Sequence, residues 1–200
     1  MLCFKNLKLS VSERVLVPSI SVTLFPGSIT YVTGKNGAGK TTLLQTIAGL
    51  KDIKSGNITL HKLKINDFVK PYCLLAGHNN GLEKEMRVID QLEFWAKCYN
   101  SEPMIPAAIQ FWDLGDVLDR KITELSEGNA KKVSLSRLTC CHADLWLLDE
   151  VETNLDENNL KFLHYAISSK ASSGGIVIIT SHQSNRIKGS QELKLEDFCV

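Results

Sequence analysis

Residues 34–42 read Gly-Lys-Asn-Gly-Ala-Gly-Lys-Thr-Thr, a spacing suited to wrapping the phosphates of a nucleotide. Gly34, Gly37 and Gly39 allow a tight turn, and the successive N–H groups of that turn, those of Asn36 and Ala38 among them, can point at one anion. From such a loop the Lys40 ammonium reaches β- and γ-phosphate oxygens, the Thr41 hydroxyl can ligate Mg²⁺, and Thr42 completes the cradle. An apolar run at residues 29–32 leads in and a helix-like stretch at 43–50 leads out, so the positive end of a helix is aimed at the same anion. This is a Walker A loop, and it predicts binding of ATP with Mg²⁺.

A second constellation lies downstream. Leu145-Trp146-Leu147-Leu148 reads as a buried strand that runs straight into Asp149-Glu150. A carboxylate at the end of a strand beside a phosphate loop can hold Mg²⁺ through water, which is the role expected of Asp149. Glu150 is then the candidate general base, polarising the water that attacks the γ-phosphate.

The elements that would position these groups follow from periodicity. Runs around residues 2–9, 20–25 and 29–32 are rich in strand formers and are punctuated by Pro18 and by Pro26-Gly27, which predicts a small antiparallel start. Further strands are expected at 56–60, 72–76, 145–148 and 176–180. Residues 88–99 and 104–112 place apolar side chains at three- and four-residue spacing, which predicts a small helical patch with Trp95 and Trp112 as core packing. Helices are also expected from Ser126 to about Cys141 and over 160–168. Strands alternating with helices give an α/β fold with a parallel sheet, here of the P-loop NTPase class. The expectation is one domain over residues 1–200, with a helical part at about 86–141.

Between the two phosphate elements stands Leu125-Ser126-Glu127-Gly128-Asn129, ahead of a helix that carries Lys131, Lys132 and Arg137. Ser126 and the Gly128 backbone at a helix start form a second anion site; read alone, the same residues are equally a helix cap. The run resembles the signature loop of the ATP-binding-cassette (ABC) ATPases, usually Leu-Ser-Gly-Gly-Gln, with Glu127 in place of a glycine and Asn129 in place of the glutamine. Thr153-Asn154-Leu155-Asp156 is similar to the family's D-loop, and Thr180-Ser181-His182 to its switch.

The resemblance implies a head-to-tail homodimer in which Ser126 and Gly128 of one subunit close over the ATP held by the other. It makes Asp156 a subunit contact and His182 a catalytic sensor of the γ-phosphate. Residues 74–78 align with the family's Q-loop, where His78 replaces the glutamine and becomes a third candidate beside the metal ion. No aromatic residue stands around Glu13-Arg14, where the family commonly stacks adenine, so recognition of the base is expected to be weak or different.

Within the family, the Gly77-His78 dipeptide, the compact length and the short run over 111–119 resemble the ATP-binding subunits of cytochrome c maturation systems. That implies a translocase-class ATPase, peripheral on the cytoplasmic side of a bacterial inner membrane, in heme export or heme delivery to a chaperone. The implied partners are an integral permease of the CcmB type, with CcmC and CcmD types as further candidates. A soluble ABC ATPase acting on DNA, ribosomes or iron–sulfur assembly stays open as an alternative. Only 82 residues separate Thr42 from Leu125, too few for the long coiled-coil insertion of the DNA-repair type. A P-loop kinase would need an acceptor site and a lid, for which no segment is found.

Composition agrees with an ordinary globular chain. Of 200 residues, 44% are hydrophobic and 22% charged, and the net charge of +1 gives no reason to expect a nucleic-acid partner. The six cysteines show no metal-type spacing and read as reduced thiols. The first residues lack a charged segment followed by an apolar one, and no apolar run approaches the length of a bilayer span. None of the five histidines is expected to ligate heme.

Overall fold

Strands buried on both faces must be apolar without a break, as residues 145–148 and 176–179 are; strands with one wet face alternate, as residues 2–9 do. In the computed structural model, which describes residues 1–64, 72–77, 81–181 and 186–198, these patterns become two sheets. An antiparallel sheet contains β1 (Leu2–Val11), β2 (Arg14–Leu24), β4 (Asn57–Leu60) and β5 (Leu63–Lys64) in the order β2-β1-β4-β5. A parallel sheet contains β3 (Ile29–Thr33), β6 (Cys73–Ala76), β7 (Leu145–Asp149), β8 (Ile176–Thr180) and β9 (Gln191–Lys194) in the order β6-β7-β8-β3-β9. The α-helices among the described residues are α1 (Lys40–Ile47), α2 (Val88–Cys98), α3 (Ile105–Trp112), α4 (Glu127–Cys140) and α5 (Glu157–Ser172).

Successive side chains of a strand point to opposite faces, so the parallel sheet feeds two cores. Tyr31, Trp146, Leu148, Val177 and Ile179 join Leu92, Trp112, Leu135 and Leu163 from the helices. Val32, Leu145, Leu147, Ile176 and Ile178 meet Leu43, Leu44 and Ile47 of α1 together with Leu2, Phe4 and Ile58 of the antiparallel sheet. Helix α1 is thus clasped between the sheets, and each such buried aliphatic side chain contributes roughly 1.5–3 kcal/mol. The strand order matters for function. With β8 between β7 and β3, the turns that follow all three strands open on one edge of the sheet, where ligands of parallel sheets bind.

Three expectations are corrected. The second strand starts at Arg14 rather than residue 20, and Pro18 lies within it instead of ending it. A proline has no N–H to give to a ladder, and β2 tolerates one because it is an edge strand whose pairing with β1 shifts register between Leu7 and Ser10. The fifth helix spans Glu157–Ser172, extended at its start by the Asp156 cap, whose Oδ1 accepts from the Asn159 N–H at 2.8 Å. A strand was not expected at β9: of its four residues only Leu193 is buried, so no run of apolar residues marks it.

The helical segment is held together by polar as well as apolar contacts. Trp112, 1% exposed, donates its Nε1–H to Thr139 Oγ1 at 3.0 Å, and the Ser101 hydroxyl donates to the Cys140 carbonyl at 2.8 Å. Trp112→Ala should therefore cost about 3–5 kcal/mol of stability. The check is the urea midpoint followed by circular dichroism, and a midpoint equal to the parent protein's would remove Trp112 from the core's support.

Candidate active site

The phosphate loop leaves β3 and returns as α1 through backbone angles that few residues accept. Gly34 has φ 149° and Gly39 has φ 105°, both on the positive side that a Cβ disfavours. At Gly39 space is tight as well, because a Cβ there would stand 3.1 Å from Leu16 Cδ1, which would have to give by a few tenths of an ångström. Gly39 also serves as the cap of α1 with no side chain bonded to the helix start, and there is no acid in the first turn. The first-turn N–H groups thus have no side-chain acceptor, which suits an incoming anion. Lys40 is buried, and its Nζ donates to the carbonyls of Gly34 at 2.8 Å and Lys35 at 3.3 Å. The loop therefore carries its own cation at its centre, held by weak neutral acceptors that phosphate oxygens can outcompete.

Beside Lys40 three oxygens converge. The Thr41 hydroxyl donates to Asp149 Oδ1 at 3.2 Å, and the Thr180 hydroxyl donates to the same oxygen at 2.6 Å. Register creates this corner: Asp149 is paired with Thr180 at the ends of β7 and β8. A carboxylate with a neighbouring hydroxyl offers hard oxygen donors, the set that suits Mg²⁺. Glu150 follows at φ 55°, an angle uncommon for a residue with a side chain, and its N–H donates to the Thr180 carbonyl at 3.1 Å. That turn directs the chain away from the sheet and leaves Glu150 lining a cleft of about 530 Å³ with Asn36, Lys40 and Thr41. The far wall of the cleft is the β1–β2 turn, through Val11, Arg14 and Leu16.

The signature residues stand elsewhere. Ser126 Oγ accepts from the Asn129 N–H at 3.3 Å and so caps α4. Glu127 and Gly128 line a second cavity of about 470 Å³ with Asn154 and Asp156. The two cavities share no lining residue. The structure thus brings together residues 36–42 with Asp149 and Glu150, and separately the signature with the D-loop segment. His78 and His182 lie outside the described residues.

Two contributors were not identified from the sequence. Thr180 orients Asp149 and anchors Glu150; its place opposite Asp149 becomes evident only once β7 and β8 are paired. Glu196 reaches back from the turn after β9, where its Oε1 accepts from the Lys35 N–H at 2.7 Å. That bond, followed by one to its own N–H, holds the Glu196 carboxyl below the usual carboxylate range, with the positive charges of Lys35 and Lys40 adding to it. Nothing in the sequence around Glu196 signals this, since the partners lie 161 positions apart.

Comparison with known proteins places this geometry in a family. The sequence model described as ABC transporter matches residues 17–153. A protein of Rickettsia bellii called cytochrome c biogenesis ATP-binding export protein CcmA is 48% identical over 195 residues, covering 98% of this chain and 100% of that one. The protein of the same description in Vibrio cholerae is 35% identical over 189 residues, covering 92% of this chain and 91% of its own length. Among solved structures, a putative ABC transporter ATP-binding protein from Pyrococcus furiosus superposes with a TM-score of 0.86 at 25% identity, covering 100% of this chain and 99% of that one. A dimeric ATP-binding cassette described as a post-hydrolysis state bound to ADP and Pi shares the fold at 16% identity, with a TM-score of 0.83 over 97% of this chain and 94% of its own.

Lys40→Ala removes the only ammonium that this loop sets among its own carbonyls, and ATP turnover should fall by about 10² or more; near-normal turnover would take Lys40 out of the site. Glu196→Gln keeps the shape but loses the charge on the Lys35 N–H. It should raise the KM for ATP a few-fold with little change in kcat, as measured by steady-state phosphate release.

Proposed function

Because the chain belongs to the ABC transporter family and, within it, to the CcmA proteins, we propose that it is the ATP-driven subunit of a membrane complex serving c-type cytochrome biogenesis. Family membership makes it an ATP-binding, ATP-hydrolysing subunit. The proposal concerns how it is deployed: as a homodimer, at the cytoplasmic side of a bacterial inner membrane, with a CcmB-type permease and with CcmC and CcmD types as further partners. Heme, exported or delivered to its chaperone, is the proposed cargo, and no nucleic acid is involved. Among the described residues no helix is long and apolar enough to cross a membrane, which fits attachment through such a partner.

One observation carries the homodimer. The cleft at Lys40 and the cavity at Gly128 and Asp156 have no lining residue in common, which supports a signature loop that closes on the phosphate held by a second copy. In that arrangement the loop from Gly34 to Thr42 binds the triphosphate through its N–H groups and Lys40. Ser126 and Gly128 of the other copy cover the γ-phosphate from the start of their α4. Asp156, fixed as the cap of α5, stands at the subunit contact. Thr41 and Asp149 would hold Mg²⁺, with His78 beside them by family resemblance, and the ion, when bound, neutralises charge on the β- and γ-phosphates. Glu150 orients and deprotonates the attacking water, and His182 contacts the γ-phosphate, again by resemblance. For the base, the Arg14 guanidinium and the Leu16 side chain in the far wall of the cleft take the place of a stacked aromatic residue. Closure driven by ATP requires contacts that exist only in the paired state, and the shared phosphate supplies them.

Glu150→Gln should bind ATP, hydrolyse it about 10²-fold or more slowly, and run as a dimer in gel filtration with ATP; a monomeric, fully active variant contradicts the base assignment. Mixing Ser126→Arg with Lys40→Ala should restore part of the turnover that each lacks, since the mixed dimer keeps one intact composite site. Absence of rescue would remove the support for a shared site. The membrane role is tested by affinity capture from detergent-solubilised membranes with mass spectrometry. A permease of the CcmB type should co-purify, and capture of the chain without any integral subunit would overturn that part.

A further inference from the structure

The phosphate loop accounts for one side of the cleft at Lys40. The cleft's volume of about 530 Å³ lies in the range of pockets that enclose a whole small ligand, roughly 300–1,000 Å³, so it has room for more than a triphosphate. With Gly37, Gly39, Lys40, Thr41 and Thr42 committed to phosphates and metal, the ribose and base are left the part walled by the β1–β2 turn. Strand geometry builds that wall. Val11 and Arg14 are paired directly across the turn at Ser12 and Glu13, and side chains so paired share a face. Leu16 lies two residues beyond Arg14 in β2 and points the same way. This face is turned to the phosphate loop, since a Cβ on Gly39 would meet Leu16 Cδ1 first. The turn itself is pinned by Lys54, whose Nζ donates to the Ser12 carbonyl.

Val11, Arg14 and Leu16 therefore form one strip of two aliphatic side chains and a planar cation. Arg14 is exposed, and its guanidinium forms no ion pair among the described residues. The chemistry of this strip limits what it can recognise. Adenine and guanine differ at the edge, where adenine carries an amino donor and guanine a carbonyl acceptor. Selecting the adenine amino group takes an acceptor, whereas a guanidinium has only N–H donors and Val11 and Leu16 have no polar group at all. Both purines offer a flat π face, and a guanidinium plane or an aliphatic surface packs on that face whichever base it belongs to.

We propose that Arg14 holds the nucleobase by its face, and that the cleft accepts purine nucleoside triphosphates without distinguishing adenine from guanine. The inference deepens the ATPase reading and rests on it, but not on the dimer or the membrane partner. Its consequence is specific. A contact made to the base alone is the same before and during phosphate cleavage, so its loss should weaken binding of both nucleotides equally and leave the chemical step as it was.

The test uses the purified full chain with Mg²⁺ and follows phosphate release over a range of ATP and of GTP. Inorganic tripolyphosphate, which has the phosphates but no base, serves as a competing ligand. The parent protein should give kcat/KM values for the two nucleotides within about threefold of each other. Arg14→Ala should raise both KM values by one common factor, about two- to fivefold for an exposed cation–π contact, with kcat kept and the inhibition constant of tripolyphosphate unmoved. Arg14→Tyr restores a stacking plane without the charge and should bring KM back to the parent value. Arg14→Lys keeps the charge without the plane and should stay as weak as Arg14→Ala. A larger preference of the parent for either nucleotide, or an unchanged KM in Arg14→Ala, overturns the proposal. Weaker inhibition by tripolyphosphate in Arg14→Ala, or rescue by Arg14→Lys, assigns Arg14 to the phosphates and overturns it as well. A parent protein that turns over neither nucleotide sinks the ATPase reading itself, whereas turnover of ATP alone leaves that reading intact and sinks only this inference.

Discussion

A single oxygen, Asp149 Oδ1, receives the hydroxyls of Thr41 and Thr180, and that convergence depends on three strands arriving in register at one edge of a buried sheet. Thr180 is the end of β8, Asp149 the end of β7, and Thr41 is in the first turn of the helix that follows β3. A sheet buried on both faces permits little slippage, because a shift of one residue would turn Trp146 and Leu148 towards α1 and Leu147 towards the helices. Chemistry that needs its oxygens fixed to within fractions of an ångström is thus placed at the edge of a sheet buried on both faces.

Around this corner the phosphate loop is held from two directions remote in the sequence. The phosphate loop is steadied at its start by Glu196 from the last turn, and at its end by Leu16 pressed against Gly39. Both restraints link segments remote in sequence, one from each sheet's periphery. The antiparallel sheet, which takes no part in phosphate chemistry, supplies through Val11, Arg14 and Leu16 the wall on which a base can rest. Its long β1–β2 ladder carries register shifts between Phe4 and Ser10, irregularities of the kind that bend a strand.

The phosphate cleft and the cavity beside the signature residues are separate in this chain. Ser126 and Asp156 cap adjacent helices and so share a rigid platform, while the cleft at Lys40 is built on the sheet. A platform and a cleft that share no lining residue fit the proposed pairing of two copies.

The sequence by itself determined the phosphate loop, the Asp149-Glu150 pair, the signature and the parallel α/β order. Each is a local pattern: glycines where backbone angles demand them, unbroken apolar runs where both faces are buried, a capping serine ahead of a helix. Pro18 misled because a breaker signal says nothing about whether a strand lies at an edge, and β9 was missed because one buried leucine among polar neighbours makes no periodic signal. Glu196 on the Lys35 N–H, Thr180 on Asp149, and Tyr31 with His164 on Glu152 were decided only by tertiary structure. The physical reason is that a hydrogen bond depends on proximity in space. The chain specifies which groups can donate or accept, but the packing of the sheet and helices decides which of them come within about 3 Å of each other.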